Sequence, residues 1–455
     1  MARAGAARGE IQMTEGSLWK NILIFSIPLV FSQLLQVMFN MADVAVVGKF
    51  ASDTALGSVG STSTLVTLFT GFLIGMGNGV NVRVAQHLGA QHREETSRAV
   101  HTAFLLCLLA GLGIMALCLA LATNMLEMLH TKDDLLPGAV LYFRIYALGM
   151  PALGVFNFGN AVLSANGDTK RPLLYLTIAG ILNVILNLFF VIACRMAADG
   201  VALASVISQY VSAILVVWHM MRLNDACKFR FRELRFHGDE VGRILGLGVP
   251  AGIQHMIFAI ANLFIQAAVN SFDSTMVSGN AAAANTDTII YNIMMAFYTA
   301  CSTFMGQNWG AGHKKRMMDS YLISLFYAFA VAAVLGVAFY FAGRPFLYVF
   351  TNSADVVEAG MQRMKIMCFS YAISAFMDNT IAACRGLGRT IVPTVVVIMG
   401  SCVFRVIWVY TIFAHYHTIP SLYLLYAFSW TITAAAEIVY FLHCFRKLRL
   451  VPETA

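Results

Sequence analysis

Residues 21–48, NILIFSIPLVFSQLLQVMFNMADVAVVG, form a long apolar run that contains one charged side chain, Asp43. About 20 apolar helical residues cross a hydrocarbon core of roughly 30 Å, so this run is long enough to span a membrane. It is too long for the apolar core of a signal peptide, and no small-residue cleavage site follows it. Of all 455 residues, 59% are hydrophobic and 12% are charged, whereas soluble domains carry about 25% charge. The composition therefore predicts a multi-span α-helical membrane protein.

Apolar stretches of this kind recur along the whole chain, and they predict twelve spans. The predicted spans are 22–47, 56–81, 97–122, 137–162, 172–194, 200–221, 243–269, 280–303, 319–342, 360–383, 392–414 and 419–444. The loops between them alternate in basic content, with 22 Lys and Arg on one side and 7 on the other. Because excess Lys and Arg mark cytoplasmic loops, both termini of this multi-pass protein of the cell (inner) membrane are predicted to be cytoplasmic.

The two halves of the chain resemble each other. The segment AQHLGAQHRE (85–94) recurs as GQNWGAGHKK (306–315), at an offset of 221 residues. Farther along, Gly167 aligns with Gly386, at an offset of 219. Each repeat holds six spans, so both repeats have the same orientation, and such repeats place a substrate site at their interface. The sequence therefore predicts an N-terminal six-helix lobe, a basic cytoplasmic linker and a C-terminal six-helix lobe, at 1–221, 222–242 and 243–455.

Span 1 carries a stripe of polar side chains. Its members follow one another at spacings of 3, 4 and 3 residues, which places them on one face of a helix. They are Gln33, Gln36, Asn40 and Asp43. A polar group inside a span is costly in lipid and must face protein or water. The stripe is therefore interpreted as the wall of a water-accessible substrate cavity that ends in a carboxylate.

Spans 5 and 6 offer polar partners for that carboxylate. Asn183 and Asn187 lie one turn apart in span 5, and Ser205 lies in span 6. A hard cation such as Na⁺ prefers oxygen ligands, and the same partly desolvated carboxylate could carry a proton instead. We interpret Asp43, Asn183, Asn187 and Ser205 as a coupling-ion site for Na⁺ or H⁺. A structural hydrogen-bond network between helices is the alternative for these residues.

The second half carries a different set of polar residues. His255, Asn262 and Gln266 in span 7 are spaced 7 and 4 apart, again on one face. Together with Asp287 and Asn292 in span 8, they are assigned to the substrate cavity. A lone histidine such as His255 could titrate near neutral pH, although a packed, hydrogen-bonded histidine is the more common case.

Each of the last three spans carries a charged residue well inside the span: Asp378, Arg405 and Glu437. Unpaired charges are expensive inside a membrane, so we expect an ion-paired network that latches the second lobe. Direct contact with the substrate is the alternative interpretation.

Other chemistry finds little support in the sequence. The nine cysteines fall almost entirely in apolar segments without a CxxC pair, and His415 and His417 stand without further ligands, so no metal beyond a possible Na⁺ is predicted. No Ser/His/Asp set and no GK[ST] phosphate loop is evident, so neither an enzyme nor an ATP-driven pump is predicted. No cofactor and no nucleic-acid partner are expected.

The chain resembles the multidrug and toxic compound extrusion (MATE) family of secondary antiporters. The resemblance covers nearly the whole chain and is carried by the span-1 stretch together with SANGDTKRP (164–172), GVALASVISQ (200–209), GQNWGAG (306–312) and CRGLGRTIVP (384–393). It implies a monomer of twelve helices in two six-helix lobes around a V-shaped cavity. It also implies that small organic, often cationic or amphipathic, compounds leave the cell in exchange for inward Na⁺ or H⁺, with the lipid bilayer as the other partner of the protein.

The family's site residues match this chain at Asp43, Asn183, Asn187 and Ser205, with two departures. Many members carry an acid at the position of Asn187, and the seventh-span glutamate of the NorM-like branch falls near Phe258 here. The resemblance therefore implies the DinF-like side of the family, with coupling centred on the first lobe. Two alternatives remain open: a flippase or exporter of a lipid-linked or anionic metabolite, and a receptor or scaffold without transport.

Overall fold

The computed structural model describes residues 11–448, apart from the side chain of Asp53. Within this range the chain forms helices and turns and no β-strand. We number twelve main helices in chain order: α1 Leu18–Phe50, α2 Asp53–Gly89, α3 Arg93–Met128, α4 Leu136–Ala147 continued by Met150–Ala165, α5 Lys170–Ala193, α6 Ala198–Met221, α7 Gly238–Val269, α8 Ser274–Gly310, α9 Lys314–Phe341, α10 Ala354–Gly386, α11 Ile391–Tyr416 and α12 Ile419–Lys447. A 3₁₀ turn at Phe231–Glu233 lies in the linker, and a short helix, Gly343–Leu347, follows α9.

Eleven of these helices are long and apolar enough to cross a membrane, and α4 makes a twelfth if its two parts form one span. The two parts of α4 meet at a bend of 44°. Pro151 lies in the first turn of the second part, where its missing backbone N–H costs nothing because the first helical N–H groups are unpaired in any case. At the bend, a Cβ on Gly149 would lie 1.9 Å from Gln209 Oε1. The predicted all-helical fold with twelve spans is confirmed.

The turns that follow α4 and α10 show the repeat in three dimensions. Gly167 and Gly388 have φ angles of 88° and 78°, in the left-handed region that favours glycine. They lie 221 residues apart, the same offset as the segments at 85–94 and 306–315. The structure thus corrects the alignment of Gly167 with Gly386. Gly386 lacks a side chain for another reason, because a Cβ there would lie 2.4 Å from Met305 Cβ.

The first compact unit comprises residues 11–12 and 31–256 of the described chain. It therefore includes the linker and the first half of α7. Glycines permit α2 and α7 to approach closely here, since a Cβ on Gly75 would lie 2.3 Å from the Gly252 nitrogen. The linker is fixed by Phe229, whose ring lies 4.7 Å from that of Phe104 on α3. The lobe boundaries expected from the sequence stay a prediction.

The second compact unit comprises residues 13–30 and 257–448 of the described chain. It includes the segment before α1 and the first turns of that helix. Asn308 on α8 donates to the Met13 carbonyl at 3.2 Å, and the rings of Phe25 and Phe304 meet edge to face at 5.5 Å. Each unit thus takes in the beginning of a helix whose remainder belongs to the other unit, and the two exchanged beginnings, of α1 and α7, are repeat-related.

Candidate functional site

Four of the predicted site residues form a closed ring of hydrogen bonds in the first unit. Asn187 on α5 donates to Asp43 Oδ1 on α1 at 2.5 Å and to Asn183 Oδ1 at 3.2 Å. Asn183 donates to the Ser205 hydroxyl on α6 at 3.3 Å, and this hydroxyl donates to Asp43 Oδ2 at 3.4 Å. The structure thus brings together the four residues that the sequence grouped. Their role in ion coupling stays a prediction.

The local shape of α5 holds the ring in place. Asn183 and Asn187 are four residues apart, so they project from the same face of α5 on consecutive turns. Gly180, one turn earlier, lets α1 approach, because a Cβ there would lie 1.8 Å from the Phe39 ring. Directly after Asn187 the helix widens into a π turn, Phe189–Ala193, a distortion that is common at functional sites. The polar groups therefore stand where α5 is both closely approached and irregular.

The ring presents oxygen atoms around a single carboxylate. Asp43 is half-buried, whereas Asn183 and Asn187 are buried. The Asn187 Oδ1 atom is buried and has no hydrogen-bond partner among the described residues. Carboxylate, amide and hydroxyl oxygens are the ligands of hard cations, and a carboxylate can also take up a proton. No group of three His, Cys, Asp or Glu that could hold a metal ion occurs in residues 11–448, so a cation here would rely on one acid and neutral oxygens.

Two tyrosines on α4 belong to the surroundings of the ring, and they are not among the residues predicted from the sequence. Tyr142 and Tyr146 stack at 6.0 Å between ring centroids, and the field of the Asp43 carboxylate reaches both hydroxyls. Tyr142 is buried in a small core with Val46 and Val47 of α1. Their spacing of four residues places them on one face of α4 and could have suggested a second polar stripe.

The rest of the α1 stripe lies apart from the ring. Asn40 and Gln36, about one and two turns before Asp43, are exposed. Gln33, about three turns before it, is half-buried. They share its helical face, as the spacing predicted. Their assignment to a substrate cavity stays a prediction.

The candidates in α7 and α8 divide between the two units, and their assignment to a substrate cavity stays a prediction. His255 belongs to the first unit. It packs against Gly71 of α2, where an added Cβ would lie 3.1 Å from the His255 Cβ. Asn262 and Gln266 are exposed, and Gln266 donates to Asn270 at 2.9 Å. Asn292 donates to the Thr288 carbonyl of its own helix at 2.7 Å.

Asp287 has a setting that the sequence did not predict. Arg363 on α10 contacts Asp287 Oδ2 through Nη2 at 2.5 Å and through Nε at 3.1 Å. A third nitrogen, Nη1, donates to the Tyr423 hydroxyl at 3.0 Å. The side chains of this pair are only 11% and 14% exposed. Asp287 was assigned to the substrate cavity, but in this structure its carboxylate is neutralised by a neighbouring helix.

The expected latch of Asp378, Arg405 and Glu437 is not formed, because no ion pair joins the three within the described part of the chain. Arg405 is buried and donates through Nε to the Ser429 hydroxyl at 3.3 Å. Its guanidinium lies 4.3 Å from the Tyr426 ring centroid, with the rings of Phe258 and Trp430 at 5.6 Å. Aromatic faces stabilise a buried cation, which is why Arg405 can stand without a carboxylate.

A buried ion-paired cluster ties the linker end of α7 to α2. Arg83 donates to both oxygens of Glu240 at 2.7 and 2.8 Å, and His87 Nε2 lies 3.0 Å from Oε1. The partners are 157 and 153 residues apart in the chain, so no local spacing could have predicted them.

These features define a class of protein. A chain of twelve membrane-spanning helices, duplicated in sequence and with a hydrogen-bonded acid, Asp43, inside a span of the first repeat, has the architecture of a multi-span membrane transporter. The MatE family matches the chain twice, over residues 28–189 and 250–411, and the chain belongs to this family of multidrug efflux transporters. The two matches also confirm the duplication. As its relatives are transporters, the chain is a transporter and not an enzyme.

Relatives and solved structures agree with this assignment. "Probable multidrug resistance protein YpnP" of Bacillus subtilis is 28% identical over 358 residues, which are 79% of this chain and 80% of that protein. The "FAD transporter" of Shewanella oneidensis is 23% identical over 346 residues, covering 74% and 75%. The outward-facing structure of a multidrug resistance MATE family transporter superimposes with a TM-score of 0.90, at 20% identity and over 98% of this chain and 100% of that one. The DinF-like side of the family stays a prediction.

Proposed function

We propose that the protein is a secondary antiporter that exports organic, cationic or amphipathic compounds in exchange for Na⁺ or H⁺. The observation that carries this proposal is the ring around Asp43, a single acid in a membrane-spanning helix with neutral donors from two other helices. Neutral donors allow the carboxylate to exist either with a bound cation or with a proton. Occupancy of Asp43 by the coupling ion would then compete with the substrate or favour its release.

The proposal is tested by transport in proteoliposomes that contain the full-length protein. A Na⁺ gradient or a pH gradient is imposed separately, and uptake of an organic cation such as ethidium is followed. Asp43→Asn is expected to abolish gradient-driven uptake, whereas Asp355→Asn, the same change at an exposed site on α10, is expected to leave it intact. Undiminished uptake by Asp43→Asn would overturn the role of the ring. If no gradient drives uptake by the unmodified protein, the receptor or scaffold alternative gains.

A second candidate is the export or flipping of an anionic or lipid-linked compound. The name of the Shewanella relative, an FAD transporter, points to an anionic substrate for that protein. In this chain the buried Arg405 has an Nη2 atom without a hydrogen-bond partner among the described residues, which gives the second unit an uncompensated basic group. The same proteoliposomes distinguish the candidates, because a flavin dinucleotide and an organic cation can be compared as substrates. Faster transport of the dinucleotide, with dependence on Arg405, would favour the second candidate.

We propose further that the protein acts as a monomer in the cell membrane with both termini in the cytoplasm. The basic loops support this orientation. The first ten and last seven residues lie outside the described part of the chain. Protease accessibility of a tag at either terminus, in sealed right-side-out and inside-out vesicles, tests the orientation.

A further inference from the structure

Glu437 is a buried acid in the second unit that the ring site does not use. It lies on the inward face of α12, one turn after Thr433 and Ala434 and one turn before Phe441, all of which are buried. Its own exposure is 0%. Ala434 and Phe441 belong to the main apolar core of the second unit. A carboxyl group thus occupies a position where the helix otherwise places apolar side chains or a hydroxyl that is bonded to its own helix.

Neither oxygen of Glu437 has a hydrogen-bond partner among residues 11–448. In this respect it differs from Asp43, which accepts hydrogen bonds from Asn187 and Ser205. An ionised carboxylate that is removed from water and receives no donor is far less stable than the neutral acid. The geometry therefore favours a proton on Glu437 in this conformation.

Arg385, at the end of α10, is the basic residue that interacts electrostatically with Glu437. Arg385 forms no hydrogen bond to Glu437. Its Nη1 donates to the Tyr298 hydroxyl, and its guanidinium lies 5.8 Å from the centroid of that ring. Of the other titratable residues on α10, Cys384 interacts electrostatically with Glu437, and Asp378 lies in the fields of Arg385 and Arg405. Arg385 thus favours the ionised form of Glu437 only by its electrostatic field. It does not donate the hydrogen bonds that water would give to the carboxylate.

The remaining neighbours do not supply a hydrogen-bond donor to Glu437 either. On α9, the Tyr321 ring packs 4.7 Å from that of Phe441. On α11, the charged residue is Arg405, which contacts Tyr426, three turns earlier on α12 than Glu437. On α12 itself, Tyr440 is the titratable residue closest in sequence. None of these groups donates a hydrogen bond to either Glu437 oxygen.

We propose that Glu437 is a proton-binding site of the second unit. In this conformation the carboxyl group holds its proton. On release the O–H bond breaks, the proton passes to water, and the carboxylate left behind has Arg385 on the adjacent helix as its counter-charge. Glu437 lies ten residues before Lys447, or about 15 Å from that end of α12, so the exchange takes place with the side predicted to be cytoplasmic. The part of this proton in transport rests on the proposed antiport, whereas the protonation itself does not.

Infrared difference spectroscopy on the full-length protein in nanodiscs tests the protonation without any transport. At neutral pH the unmodified protein is expected to show the C=O stretch of a protonated carboxyl group free of hydrogen bonds. Glu437→Gln should remove this band, and Glu358→Gln, the same change at a side chain that is 50% exposed, should keep it. A spectrum without a band that Glu437→Gln removes would overturn the proposal.

Thermal unfolding of Glu437→Leu covers the case in which the glutamine variant does not fold. If Glu437 is neutral and unpartnered, an apolar side chain of similar volume should give a melting temperature equal to or above that of the unmodified protein. A clear fall in the melting temperature would mean that the negative charge is needed, and the proposal would fail.

Transport then decides whether the proton is coupled to substrate. Glu437→Gln is expected to lose substrate-linked proton flux across the proteoliposome membrane, as followed with a pH dye inside. Full proton flux in this variant would exclude a coupling role. If the unmodified protein shows no antiport at all, the proposed function fails, and the infrared band still decides the site at Glu437.

Discussion

Asp43 in the first unit and Asp287 in the second are both acids in membrane-spanning helices, but their neighbours differ. Asp43 is half-buried and accepts hydrogen bonds from the neutral side chains of Asn187 and Ser205. Asp287 is buried against the guanidinium of Arg363. A carboxylate with neutral donors can exchange its charge for a proton or a cation, whereas one paired with arginine must stay ionised or leave a buried cation behind. We therefore infer that Asp43 of the first unit can change its charge by binding a proton or a cation, whereas Asp287 of the second unit stays ionised.

The second unit also contains ionisable groups without an ion-pair partner among the described residues. Arg405 lies among aromatic rings, and Glu437 lies in the apolar core, where no described residue donates to it. The second unit therefore stabilises three buried ionisable residues in three ways. Asp287 forms an ion pair, Arg405 packs against aromatic faces, and Glu437 holds a proton. What distinguishes these cases is the chemistry of the nearest side chains, not the depth of the residue in its span.

The largest expected effect separates Asp287 from Asp43. Asp287→Asn leaves Arg363 buried without a counter-charge, which is expected to lower the free energy of unfolding by about 3–5 kcal/mol. Asp43→Asn leaves no buried cation behind and removes only hydrogen bonds of about 0.5–1.5 kcal/mol each, although transport is lost. Thermal or denaturant unfolding of both variants in nanodiscs measures the difference. Recovery of stability in the double variant Asp287→Asn, Arg363→Met is the control, and equal stability of the two single variants would refute the comparison.

A smaller effect is expected from the ring itself. Asn187→Ala removes the donor to Asp43 Oδ1 and the free oxygen beside it, so affinity for the coupling ion should fall roughly 10–100-fold. The half-activating ion concentration for transport is the measurement. Asn285→Ala on α8 is the matched control, because that amide bonds to carbonyl groups of its own helix, at Ala281 and Ala282. Equal ion affinities for the two variants would show that the ring is structural.

The approach of α1 to α5 gives the next prediction. Gly180→Ala places a methyl group against the Phe39 ring and is expected to destabilise the first unit by about 1–3 kcal/mol through overpacking. Gly113→Ala on α3 meets no atom within 4 Å and should be neutral or slightly stabilising. Unfolding curves of both variants test this. If Gly180→Ala is as stable as Gly113→Ala, the close approach of α1 to α5 is not what holds the hydrogen-bonded ring around Asp43 in place.

The smallest effect concerns an exposed acid of the linker, Glu233. A hydrogen bond from Arg230 lowers the pKa of Glu233 below its usual value of 4.5. A lowered pKa in the folded state means that its contribution is present above pH 4.5 and is lost as the pH falls through the folded value. Because both side chains are largely exposed, Glu233→Gln should hardly change the melting temperature between pH 7 and pH 3. A large change in the melting temperature of Glu233→Gln over this pH range would mean that the exposed Arg230–Glu233 pair contributes substantially to stability, and the inference would fail.

The membrane class, the number of spans and the grouping of Asp43 with Asn183, Asn187 and Ser205 were all predictable from the sequence. Spacing along a helix determines which residues share a face, and Asn183 and Asn187 do so by being four apart. The repeat was found as well, although its alignment at Gly167 needed correction by the backbone angles at Gly388. Tyr142 and Tyr146 were missed, since tyrosines in an apolar helix are usually core residues.

Partners on different helices were much harder to predict. Asp287 and Arg363 are 76 residues apart, and the sequence assigned the acid to a cavity wall. The latch of Asp378, Arg405 and Glu437 was expected because unpaired charges are expensive, but aromatic rings and an unpartnered carboxyl group took the place of ion pairs. The cost of burial predicts that a charge needs stabilisation, without specifying which group provides it.

The sequence by itself determined that this chain crosses a membrane twelve times, that its halves are copies and that few polar residues lie within the spans. These properties follow from the penalty for polar groups in lipid, which acts on each helix separately. The tertiary structure alone decided the hydrogen bonds themselves: Asn187 donates to both Asp43 and Asn183, whereas Glu437 meets no donor among the described residues. Those outcomes depend on the rotation and close approach of helices, which are set by packing between distant segments and not by spacing within one.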